Sequence, residues 1–216
     1  QHKLLHLAEN IENAIAFERG EGALELEPTD INILCKNLVG TVSALLNESG
    51  IKIRFESKCA DAMIAADRRK VESMLLNLIS NSVRGAPDCG EIELVLSKIS
   101  GYVIITLVDG GKGVNINNPN KIFEDNGRPE NYSDKRRGAG LEMYSALHLA
   151  RLHGGNIFVN FGEGEVAAIS AALPDRLHDA EEKAHGSIYQ ESAMNRILTG
   201  LSEVLDYTHF MVPFDE

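Results

Sequence analysis

Two adjacent apolar segments, EIELVLSKI over 91–99 and YVIITLVD over 102–109, constrain the fold most. Both are rich in β-branched residues, and Ser100–Gly101 supplies a turn between them, so they read as neighbouring strands. A sheet this apolar needs helices to cover it. The flanking sequence supplies them. Asp30 is placed to cap a helix running to about Asn47, closed by Gly50. A second helix runs from near Asp67 to about Arg84 and stops at Gly85 and Pro87. A third covers about 141–152 and stops at His153-Gly154-Gly155. IKIRFES reads as a strand, ALELEPTD as a short strand and turn ending at its proline, and NIFVNF, GEGE, VAAISAAL as a hairpin. The order predicts an α/β two-layer sandwich, a mixed β-sheet with helices on one face.

Two further amphipathic helices flank this unit. Leu4, Leu7, Ile11 and Ile15 recur at helical spacing over 1–18. That helix opens without a capping residue and reads as the tail of a longer one. Pro174 marks a boundary, beyond which Met194, Ile197, Leu198, Leu201 and Leu205 line one side of a helix over 188–209. The chain therefore divides into 1–22, a central domain over 23–174, and an extension over 175–216. Acidic residues outnumber basic ones by 32 to 21, a net charge of −11, which disfavours binding to nucleic acid. No apolar run approaches the roughly 20 residues that span a bilayer, and no signal peptide opens the chain. Cys35, Cys59 and Cys89 lack metal-site spacing and read as reduced thiols in a cytoplasmic setting.

Three places carry chemistry. On the helix over 67–84, Lys70, Met74, Asn77, Asn81 and Arg84 fall within one arc, because about 3.6 residues make a turn. Two mid-helix asparagines are costly to helix formation. An amide oxygen is a hard ligand suited to Mg²⁺ and a guanidinium grips phosphate. Against this stands an ordinary solvated helix face. The second place is Asp109-Gly110-Gly111-Lys112-Gly113, following the apolar strand. Its carboxylate suits an exocyclic amino group and its glycines admit a ligand close to the backbone. A capped glycine turn explains the same residues. The third is Gly138-Ala139-Gly140-Leu141 at a helix start, preceded by Lys135, Arg136 and Arg137. Free N–H groups and the helix dipole there favour anions.

In this order, the motifs resemble the ATP-binding catalytic domain of sensor histidine kinases. That domain belongs to the superfamily shared with type II topoisomerases and heat-shock chaperones. LLNLISNSVR is similar to the family's N box, VDGGKGV to its first glycine box, KIFEDN to its F box, and GAGLEMYSALHLARLHGGNIFV to its second glycine box and following strand. The resemblance covers about residues 1–174, with 1–22 as the end of a dimerisation helix and linker. It implies ATP and Mg²⁺ as ligands. Asn81 would hold the metal, Asn77 would face the nucleotide, and Arg84 would contact phosphate. Asp109 would bind adenine beside Gly111, Gly113 and Val114. Phe123 would anchor a lid, and Gly138, Gly140 and Leu141 would lie near the phosphates. It further implies transfer of the γ-phosphoryl group to a histidine upstream of residue 1. The implied partners are a response-regulator receiver domain and a second copy joined through upstream helices. The implied location is the cytoplasm, alone or as the cytoplasmic part of a membrane-anchored sensor.

One position favours transfer over hydrolysis. The superfamily's hydrolases carry a water-activating Glu one turn before the metal-binding Asn; here that residue is Asn77, and an amide is no general base. Two positions depart from the pattern: Gly85 stands where an aromatic is common, and Glu142 stands where the second glycine box has glycine and is expected to set a negative charge near the triphosphate. The competing reading is therefore a degenerate, non-catalytic nucleotide-sensing or dimerisation module. None of His2, His6, His148, His153, His178, His185 and His209 sits in a phosphoacceptor motif.

Overall fold

A computed structural model describes residues 23–46, 50–85, 90–109, 139–162, 165–177 and 210–211. The helices expected over 1–18 and 188–209, the loop over 110–138 and Cys89 lie outside the described residues. The elements run β1 (Glu27–Asp30), α1 (Ile31–Leu46), β2 (Lys52–Ser57), β3 (Met63–Ala66), α2 (Arg68–Gly85), β4 (Glu91–Ile99) and β5 (Tyr102–Asp109). Then follow α3 (Ala139–Leu152), β6 (Asn156–Gly162), β7 (Glu165–Pro174) and β8 (Phe210–Met211).

Six strands form one sheet in the order β2-β4-β5-β7-β6-β8. β2 runs parallel to β4, and the remaining neighbours are antiparallel, so the expected mixed sheet is present. The β4–β5 connection places Ser100 at φ 50° and Gly101 at φ 83°. Two successive positive φ values let a tight hairpin turn match the twist of its strands.

Two local readings differ from the structure. β3 carries little strand signal, since Met-Ile-Ala-Ala has one β-branched residue; it becomes a strand by pairing with β1 in a separate two-stranded sheet. Pro28 lies inside β1 rather than ending it. A strand with one partner leaves part of its N–H groups off the ladder, where proline is tolerated.

The helices and the large sheet share one core. Ile31, Leu34 and Val39 of α1 join Val71, Leu75, Leu78 and Ile79 of α2. Met143, Ala146, Leu149 and Ala150 of α3 complete the helical side. Ile92, Leu94 and Leu96 of β4 and Val103, Ile105 and Leu107 of β5 complete the sheet side. Each large aliphatic side chain so covered contributes roughly 2 kcal/mol. Asp30 caps α1 as expected: its Oδ1 accepts from the N–H of Asn32 at 2.9 Å and of Ile33 at 3.3 Å. Cys35 is buried and Cys59 half-buried, both as free thiols. Burial pushes the Cys35 thiol up to about 12, so it is no nucleophile.

Candidate functional site

The site is built on α2, which packs against α3 and β5. The polar arc of α2 runs beside α3. At its N-terminal end Lys70 lies near His148 of α3, whose basicity is lowered by burial, then by Arg151 and by Lys70, and at its C-terminal end Arg84 meets Glu142 in the first turn of α3. The two helices are therefore antiparallel neighbours.

Burial along the arc is graded. Met74 and Asn77 are both completely buried, Asn81 is half-buried, and Arg84 reaches the surface. Asn77 is thus enclosed, and Asn81 is the asparagine with partial access. Arg84 is engaged by Glu142 in a two-pronged pair: Nη1 donates to Oε1 at 3.0 Å and Nη2 donates to Oε2. The Glu142 side chain is 13% exposed and that of Arg84 28%. The charge expected to face a triphosphate turns instead onto the cation expected to hold it. Sequence reasoning treated the two residues separately. Opposite charges at a helix end and a helix start were the available signal.

Asp109 is the last residue of β5, aligned with Ile92 of β4 and half-buried. Gly140 and Leu141 lie in the first turn of α3. Gly111, Gly113, Val114, Phe123 and Gly138 lie outside the described residues. A shallow depression of about 570 Å³ is lined by Asp30, Asn32, Ser57, Lys58, Cys59 and Ala60; none of the candidate residues lines it.

The opposite end of the α2–α3 pair is held by residues that sequence reasoning left in structural roles. Asp67 caps α2, its Oδ1 accepting from the N–H of Lys70 at 3.1 Å. Its Oδ2 accepts from the N–H of Glu25 at 3.2 Å, which fixes the chain entering the domain. The Asp67 N–H donates to Nε2 of His153 at 3.1 Å, and Nδ1 of His153 bonds the carbonyl of Leu149 at 2.7 Å. Accepting at Nε2 and donating at Nδ1 fixes one neutral tautomer. Burial holds His153 below the ordinary histidine value, and it pushes His148 down to about 4. Neither imidazole serves as a charged group near neutrality.

Comparison with known proteins gives the family. The sequence profile of the family described as histidine kinase-, DNA gyrase B-, and HSP90-like ATPase matches residues 66–177, and the chain belongs to that family. Sporulation kinase A of Bacillus subtilis (strain 168) is 29% identical over 145 residues, which is 65% of this chain and 23% of that kinase. The Acinetobacter baumannii histidine kinase AdeS superposes with a TM-score of 0.62 at 18% identity, over 80% of this chain and 79% of that one. ShkA, solved at full length in complex with AMPPNP, gives 0.61 at 28% identity, over 78% of this chain and 36% of that one. Among the members of that family the chain is similar to sensor histidine kinases, and it spans about a quarter of the length of the sporulation kinase. Among the described residues, no helix is long and apolar enough to cross a membrane.

Proposed function

We propose that this chain is the ATP-binding part of a two-component sensor kinase. In this reading it presents the γ-phosphoryl group of ATP to a histidine on a helix upstream, within a dimer that serves a response-regulator receiver domain. The observation that carries the reading is the graded arc of α2, with Asn81 at the boundary between core and surface and Asp109 at the end of the neighbouring β5. Asp109 would accept from the adenine amino group. Asn81 would hold Mg²⁺, an ion that keeps several waters and takes phosphate oxygens. One protein amide is therefore enough. The metal would neutralise charge on the phosphates. The chain's own residues would orient them, and the absence of a carboxylate at Asn77 would keep water from being activated.

Calorimetric titration with ATP, ADP and adenosine tests the site. Binding in the micromolar to millimolar range is expected. Asp109→Ala should weaken all three ligands, whereas Asn81→Ala should weaken the metal-dependent binding of ATP above all. No binding at millimolar ligand would overturn the reading. The same chain should release phosphate slowly, and labelled phosphate should appear on histidine in the longer parent protein. Fast phosphate release that depends on Asn81 would move the domain to the hydrolases.

A further inference from the structure

Arg84 and Glu142 are 58 residues apart in sequence and come from different helices, yet they meet in the geometry by which arginine grips a carboxylate or a phosphate. Helix electrostatics do not require the pairing. Glu142 in a first turn and Arg84 in a last turn are each favourably placed without a partner. The Glu142 side chain is 13% exposed and that of Arg84 28%, so the pair sits at the surface and the guanidinium is open to an incoming anion.

We propose that Glu142 is a specificity-determining residue that occupies Arg84 as an internal stand-in for a phosphate group. The proposal rests on reading the site as a nucleotide site. A polyphosphate then reaches Arg84 by displacing a carboxylate of the same charge and fork geometry. It also leaves Glu142 without its cation beside a polyanion. Adenosine displaces nothing. The pair thus lowers the affinity for ATP and ADP relative to adenosine, and it does so by sequestering a cation rather than by repulsion alone. A glycine at position 142 would leave Arg84 free.

The two mechanisms separate in a double-mutant cycle. ATP and adenosine are titrated onto the wild-type chain, Glu142→Gln, Arg84→Gln and the double variant, each checked for folding by thermal melting. Glu142→Gln should tighten ATP about tenfold, the worth of one freed charge-assisted hydrogen bond, and leave adenosine unchanged. Arg84→Gln should weaken ATP selectively, and on that background Glu142→Gln should bring a clearly smaller gain, the part due to repulsion. An equal gain on both backgrounds would show that Glu142 acts by repulsion and would overturn the proposal. An unchanged ATP-to-adenosine ratio in Glu142→Gln would overturn it as well, leaving the pair a tie between helices. If adenosine binds but ATP gains nothing from any variant, the stand-in role fails while the nucleotide site stands. If neither ligand binds any protein, the nucleotide reading itself fails, and the proposal with it.

Discussion

The two ends of the α2–α3 pair are fastened by opposite physical means. At the N-terminal end of α2 the tie is neutral and part-buried, a backbone N–H on an imidazole that is itself held by a carbonyl. At the C-terminal end it is a charged pair at the surface. A neutral hydrogen bond out of water has no competitor and offers a ligand nothing. An ion pair near solvent is worth little to the fold and is open to exchange with another anion. The first end serves as a fixed anchor, and the second is where an anion could gain access. The difference assigns stability to the His153 end and selectivity to the Arg84 end.

The largest expected effect is at the fixed end. A Cβ on Gly155 would stand 2.0 Å from the carbonyl oxygen of Ala172 and 3.2 Å from that of Ala150, both backbone atoms. Gly155→Ala should therefore cost about 3 kcal/mol or more, read from denaturant unfolding. A loss within about 0.5 kcal/mol, the range of ordinary surface substitutions, would break the comparison. Next comes His153→Ala, which removes partners from the Asp67 N–H and the Leu149 carbonyl together; a loss of about 2 kcal/mol is expected from the same measurement.

Acid should act on the same end. His148 and His153 are both depressed in the folded state, with Arg151 and Lys70 facing His148, and Asp67 and Lys70 facing His153. The unfolded chain takes up protons first as pH falls below the ordinary value of about 6.5, so stability is complete above that value and is lost toward pH 4. Unfolding midpoints between pH 7 and 4.5 should fall more steeply for the wild type than for a variant carrying His148→Gln and His153→Gln. Equal slopes would remove the imidazoles from the account. The smallest effect belongs to the other end. Glu142→Gln should change stability by less than about 1 kcal/mol, while the ligand ratio shifts as argued above. A stability loss near that of Gly155→Ala would make the Arg84 pair structural and erase the distinction.

Much of this was legible in the chain. The β4–β5 hairpin, the Asp30 cap and the helix beginning near Asp67 follow from spacing and residue type, because they depend on neighbours within a few positions. Asn81 and Asp109 were singled out for residue chemistry at an element's face or end. β3 was not legible, since its strand character comes from β1, more than thirty residues earlier.

The sequence by itself determined the helices and most strands of the central domain, their order and the family motifs, because periodicity, capping and turn preferences are local. Tertiary structure alone decided what the side chains do to one another. It buried Asn77 while leaving Asn81 at the margin, although both lie on one helical arc, since the surrounding packing and not helical spacing sets exposure. It turned Glu142 onto Arg84 and His153 onto Asp67, pairs separated by 58 and 86 residues, since a charge or an imidazole acquires its role from whichever partner folding brings within hydrogen-bond reach.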